Sequence, residues 1–233
     1  MSTYILKPNT ELKGVPIFLD AVFVENFDSN EPMPNMSYDW IRKTQKGRSV
    51  PLPKELKLIC KHKFLNFDYI PFSTGFLVSE KIFDIIDNIE SVDFEYSKIE
   101  ILDIKGANLS EKTFFYIDFP FSNQVDSINY DQSYFAWDLK ELKYDKKRIE
   151  DLDQKDYSIY IKGFKELYLD ESIFDLFQIK NSLFTQYLFC SNKFKENVEN
   201  ENIKSIIFQE LPEILDLHES RLNYNVQYLK WNK

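Results

Sequence analysis

The sequence predicts an α+β protein with mixed sheets, few helices and two similar strand–helix–strand lobes. β-prone runs of aromatic and branched residues recur along the chain, as in Thr113–Phe119 (Thr-Phe-Phe-Tyr-Ile-Asp-Phe), which Pro120 stops. The clearest helical period lies after Ser79, where Ile82, Ile85, Ile86 and Ile89 fall at i, i+3, i+4 and i+7 and set four branched residues on one face. One apolar–Ser–helix–strand design also occurs twice. Leu77-Val78-Ser79-Glu80-Lys81-Ile82 aligns with Phe189-Cys190-Ser191-Asn192-Lys193-Phe194, and an alternating strand follows each, Phe94-Glu95-Tyr96 and Ile206-Ile207-Phe208. Such units are frequent in mixed proteins, so chance and duplication both remain open.

In chain order, Tyr4–Lys7 reads as a short strand and Ile17–Phe27 as a buried one. From Asp28 to Pro53 the pattern breaks. Pro32, Pro34, Pro51 and Pro53 punctuate a long irregular excursion that holds Tyr38, Trp40 and Ile41. The helix 79–90 starts at Ser79, whose hydroxyl is placed to accept from a free backbone N–H of the first turn. Phe94 and Tyr96 alternate, as do Ile99 and Ile101, with a slip of phase between the pairs that predicts a bulge; Gly106 ends the run. Lys140–Asp156 is crowded with mixed charge, and short strands are expected over Ser158–Lys162, Phe164–Leu169 and Ile173–Gln178. The expected organisation is an N-terminal lobe at 1–139, a charged linker or exposed edge at 140–156 and a C-terminal lobe at 157–233, with packing as one domain the alternative.

Composition narrows the function. Of 233 residues only 5 are glycine, while 43% are apolar and 16% aromatic, which excludes a disordered or collagenous chain. The net charge of −9 repels phosphate, so a nucleic-acid partner is not expected and a cationic protein partner fits better, although acidity often serves solubility alone. The first residues lack the charged and apolar regions of a secretory signal, and no apolar run approaches the ~20 residues of a membrane helix. A cytoplasmic protein without membrane contact is expected, its two cysteines reduced.

Motifs for chemistry are sparse. Cys60 and His62 are separated by one residue, and a zinc site would need distant Cys190 and His218 to converge on them, so no metal is expected. Cys190, just before a helix, is the sharpest candidate nucleophile, but Val78 holds the aligned position in the other unit and favours a core role. No glycine-rich phosphate loop occurs, and no cofactor is expected. Asp126, Asp131 and Asp138 read as surface acids rather than a catalytic pair, so no catalytic residue is assigned. The excursion instead combines Asp28, Glu31 and Asp39 with Tyr38 and Trp40, the mixture of acid and rigid aromatic that faces a basic partner. Trp40 as a plug that pins an irregular segment is the competing reading.

The order of these motifs resembles the immunity proteins of bacterial polymorphic toxin systems, specifically the family numbered eleven in that series. The resemblance rests on Tyr4-Ile5-Leu6-Lys7-Pro8, Phe76-Leu77-Val78-Ser79-Glu80-Lys81-Ile82, Val125-Asp126-Ser127-Ile128-Asn129-Tyr130-Asp131-Gln132-Ser133, Lys165-Glu166-Leu167-Tyr168-Leu169-Asp170 with Ile173-Phe174, and Phe189-Cys190-Ser191-Asn192-Lys193-Phe194 through Ile206-Ile207-Phe208. It departs from that pattern at Cys190, at Asn129 and in the glycine-free Glu201-Asn202-Ile203-Lys204. The resemblance implies a cytoplasmic, non-enzymatic protein that binds the toxic C-terminal domain of a cognate toxin and neutralises it stoichiometrically. An enzyme built on Cys190 or an acid pair, and an interaction module without a toxin, are the alternatives.

Overall fold

The computed structural model describes residues 2–35, 38–41, 43–44, 47–48, 50–89, 92–120, 124–152, 157–170, 174–181, 183–214, 216 and 226–230. The chain opens with β1 (Thr3–Pro8) and β2 (Ala21–Val24), then a 3-10 turn (Asp39–Ile41) and the small hairpin of β3 (Lys43–Thr44) and β4 (Gly47–Arg48). β5 (Glu55–Cys60), β6 (Tyr69–Phe72) and β7 (Gly75–Ser79) lead into α1 (Glu80–Asp87), and β8 (Glu95–Asp103), β9 (Phe114–Asp118), β10 (Gln124–Val125) and β11 (Tyr134–Asp138) follow. After α2 (Leu139–Tyr144), α3 (Tyr157–Tyr160), β12 (Ile161–Glu166) and β13 (Leu176–Ile179) come β14 (Phe189–Ser191), α4 (Asn192–Asn200), β15 (Ile206–Glu210) and β16 (Val226–Lys230). The α+β expectation holds.

Three main sheets stack in layers: a six-stranded sheet ordered β2-β5-β8-β9-β7-β6, a five-stranded sheet β10-β13-β14-β1-β15 and a three-stranded sheet β12-β11-β16. Because side chains alternate along a strand, β1 serves two cores at once. Tyr4 and Leu6 join Ile82, Ile86, Phe194 and Val198 of α1 and α4 together with Phe76, Val78 and Ile117 of the six-stranded sheet. Ile5 points the other way, into Phe135, Trp137 and Phe164 of the three-stranded sheet. A third core covers the far face of the six-stranded sheet, where Phe23, Leu58, Ile99, Phe114 and Tyr116 meet Val15, Leu19 and Trp40.

The two units seen in the sequence have the same wiring. β9 lies between β7 and β8, antiparallel to both, and β1 lies between β14 and β15, antiparallel to both. Each unit has a further antiparallel neighbour, β6 beside β7 and β13 beside β14, and α1 packs against α4. Strand pairing crosses the lobe limits drawn from sequence, since β1 pairs with β14 and β15 and β11 pairs with β12.

Local expectations change in several places, among them the strand expected from Ser158, which starts only at Ile161 after the helical turn α3. The predicted buried strand 17–27 shrinks to Ala21–Val24, and Ile17 and Phe18 are 90% and 76% exposed. No bulge interrupts β8, whose register with β5 and β9 is continuous; the phase slip arises because small Ser97 takes the inward position between Tyr96 and Ile99 and donates to the Pro53 carbonyl. The helix of unit one ends at Asp87, and Ser79 sits at its N-cap without a side-chain capping bond. The charged segment after Lys140 folds in part as α2 and a 3-10 turn at Ile149–Asp151, with Leu142 and Leu152 in the core. Asp138, read as a surface acid, is buried and caps α2 by accepting from the Lys140 and Glu141 backbone N–H groups.

Candidate functional site

The excursion after Asp28 straddles the edge strand β2. Val22, Phe23 and Val24 alternate between faces, so the chain can seal both by crossing the edge. Phe27 and Met33 cover Val24, Ile59 and Leu102 on one face. Tyr38, Trp40 and Ile41 cover the other, around Phe23 and Leu56. Trp40 is only 4% exposed, meets Phe23 edge to face with ring centroids 5.9 Å apart, and donates its indole N–H to Glu25 Oε1 at 3.0 Å. Tyr38 stacks on Trp40 at 5.2 Å and accepts from the Glu25 backbone N–H.

A residue the sequence reading missed locks this arrangement. Arg48, with its side chain 2% exposed, forms ion pairs with buried Asp118 and with Glu95 and donates to the Trp40 carbonyl. A buried guanidinium is tolerated only when its donors are matched in this way. Nothing local in the sequence marks Arg48, because its carboxylate partners arrive from β8 and β9.

The five residues expected to face a partner therefore do not form one surface. Asp28 and Glu31 are exposed in the stretch framed by Phe27 and Met33, where Asp28 Oδ1 accepts from the Asn30 backbone N–H at 2.8 Å. Asp39 is exposed and Tyr38 half-buried in the stretch that packs on the opposite face. Trp40 lies in the core, where its apolar ring and single donor are satisfied by Phe23, Tyr38 and Glu25.

The cysteines are core residues. Burial pushes the Cys60 thiol up to about 12, with the Asp20 carboxylate adding to the effect. Cys190 lies in β14 opposite Tyr4 of β1, and burial raises its thiol further from the thiolate form a nucleophile needs. Among the described residues, no three His, Cys, Asp or Glu side chains lie close enough to hold a metal ion. His218, the fourth member of the zinc set considered above, lies outside the described residues. Asp126 and Asp131 are exposed, apart from buried Asp138.

Three concavities stand out besides the excursion, one of them a hollow of about 620 Å³ between Lys63–Asn66 and Asn108–Lys112. A crevice of about 460 Å³ runs between α1 and α4, floored by Ile85, Ile89 and Phe194. A polar trough of about 570 Å³ lies over β5 and β8, edged by Glu25, Glu55, Lys57, Lys98 and Glu100. Of the shifted titratable groups, Asp175 alone lines one of the three, at the α1–α4 crevice, where Lys193 pairs with it. No described helix is long and apolar enough to cross a membrane.

Residues 8–232 match the family described as Immunity protein 43. The chain belongs to the Immunity protein 43 family. The match covers the excursion, the unit around α1 and, of the unit around α4, all but the greater part of β1. It replaces the number eleven drawn from the sequence resemblance and keeps the broader assignment to immunity proteins. An Immunity protein 43 member has a toxin-neutralising role, with a toxin as its partner. No curated protein matches the chain.

Proposed function

We propose that the chain is a cytoplasmic, non-enzymatic antitoxin that binds the C-terminal toxic domain of a cognate polymorphic toxin in a stoichiometric complex. Family membership over residues 8–232 carries this reading. The net charge of −9 supports a basic toxin as partner, because opposite net charges steer encounter over distances longer than any single contact. Exposed Asp39 beside Tyr38 on one side of the β2 edge, and exposed Asp28 and Glu31 on the other, supply two acidic patches, of which Trp40 and Arg48 hold the first in place from beneath. The partner is a protein, rather than a nucleic acid or a membrane surface.

The test is a titration of toxin activity with this chain, using the toxin domain encoded beside its gene. A break at one equivalent, a 1:1 complex by light scattering and slower association at higher salt are expected. Full inactivation by a small fraction of an equivalent shows an enzyme and rejects the reading.

A further inference from the structure

The loop between β1 and β2 carries the most conspicuous unpaid feature of the surface, the adjacent pair Ile17 and Phe18 at 90% and 76% exposed. Single exposed apolar residues are ordinary. This pair differs because the chain around it is built to present it. Val15 and Leu19, on either side, are buried in the core that also holds Trp40. The base is tied by the Asn66 backbone N–H donating to the Gly14 carbonyl at 2.8 Å, and by Val15 N–H donating to Leu12 O at 3.2 Å. The return is tied by Lys61 N–H to Asp20 O at 3.2 Å, by Asp20 N–H to His62 Nε2 at 3.4 Å, and by a 3.0 Å ion pair between Lys61 and Asp20.

Two residue choices stiffen the tip further. Gly14 has φ +91, and a Cβ there would meet Asn66 N and the Phe64 ring at 2.8 Å, so the loop base presses against the 64–66 segment as only glycine allows. Pro16 fixes one backbone torsion immediately before Ile17. A loop ordered before it binds loses little entropy on binding. Phe64 and Leu12, at 50% and 39% exposed, add apolar surface around the base.

Charge identifies the complement. Lys13 and Lys63 are exposed and have no carboxylate within ion-pairing distance among the described residues, whereas Lys61 is neutralised by Asp20. Two free cations therefore stand at the loop base, Lys13 next to Gly14 and Lys63 next to Phe64, on a molecule of net charge −9. We infer that Val15–Leu19 is a rigid plug that inserts Ile17 and Phe18 into an apolar cleft of the toxin domain whose mouth carries carboxylates. This deepens the toxin-binding reading and rests on it. Net charge governs the approach to a basic toxin, and the tip with its two lysines governs the fit. Tyr38 packs over the same face of the six-stranded sheet as the tip base, whereas Phe27 and Met33, on either side of Asp28 and Glu31, cover the opposite face.

The experiment compares the wild-type chain with Ile17→Ser/Phe18→Ser and Lys13→Glu/Lys63→Glu variants, using the toxin domain encoded beside the gene as probe. The tip variant is expected to keep its melting temperature, to bind at least about a hundredfold more weakly and to lose growth protection. The charge variant is expected to bind more weakly through repulsion at the mouth. Unchanged affinity of the tip variant beside a tight wild-type complex overturns the plug, and stronger binding by the charge variant overturns the acidic mouth. A tip variant that binds the toxin normally but turns a dimer into a monomer also overturns it, in favour of a second copy as occupant. If the wild-type chain itself fails to bind or protect, the toxin reading fails instead.

Discussion

Around α1 the middle strand of the unit, β9, follows directly after β8; around α4 the same place is filled by β1, drawn from the opposite end of the chain. The spatial order is otherwise the same, with an antiparallel hairpin, a serine, a helix and a returning strand parallel to the one before the helix. The unit around α1 is built from contiguous sequence. The unit around α4 closes only when the chain ends meet, and so carries the loop-closure cost of long-range pairing. Equal packing and unequal connectivity make separable predictions.

The largest effect tests whether the two middle strands are equivalent in the shared core. Leu6 in β1 and Ile117 in β9 are both fully buried there, between α1, α4 and the facing sheet. Truncating either to alanine leaves a cavity, and each change is expected to cost about 2–5 kcal/mol. Urea denaturation should show similar drops in midpoint with little change in slope. A near-silent Leu6→Ala breaks the equivalence, because it means that the unit around α4 holds without the side chain its middle strand sends into the shared core.

This permutation also explains how much could be read from sequence. The isoleucine stripe, the paired serines and the strand after each helix depend on neighbours a few residues apart, and these were legible. What filled the gap between β14 and β15 was not, because Tyr4–Lys7 carries no mark of partners some two hundred positions away. Arg48 was hidden for the same reason, its partner Asp118 lying on another strand. Ile17 and Phe18 misled in the opposite direction. Hydrophobic runs report burial in some environment, and here the free chain does not supply it.

The next effect concerns the carboxylates that precede the two hairpins. Asp68 lies just before β6 and is buried. Burial alone raises its carboxyl, but hydrogen bonds from Ser205 at 2.6 Å and Lys112 at 2.9 Å hold it below its usual 3.8. Asp175 lies just before β13, nearer solvent, and is lowered by Lys193 and Ser191 despite partial burial. A depressed folded-state value means that each contribution is complete well above pH 3.8 and is lost as pH falls through the folded value. Asp68→Asn is expected to cost about 1–3 kcal/mol at neutral pH, and Asp175→Asn under about 1 kcal/mol, since Lys193 is largely exposed. Melting temperature measured from pH 7 to 3 should fall less steeply in Asp68→Asn than in wild type. Identical acid slopes for wild type and both variants reject these carboxylates as the source of acid sensitivity.

The smallest effect separates the two serines that made the units recognisable. Ser191 accepts from the Phe194 backbone N–H at 3.3 Å and donates to Asp175 at 2.7 Å, so its hydroxyl both caps α4 and ties the helix to the preceding hairpin. Ser79 occupies the corresponding position with its hydroxyl making no capping bond; the backbone tie is common to both units, the Ser79 N–H donating to the Asp68 carbonyl at 2.9 Å and the Ser191 N–H to the Asp175 carbonyl at 3.0 Å. Alanine preserves the backbone bond and removes the hydroxyl. Ser191→Ala is therefore expected to cost about 1 kcal/mol, the usual worth of an N-cap, and Ser79→Ala only a few tenths, as for a residue whose side chain leaves the cap unbonded. Matched thermal and urea denaturation of the two variants reads the difference directly. A larger loss at Ser79 than at Ser191 would mean that the first serine caps its helix in solution and that the two helix entries are alike in chemistry as well as in position.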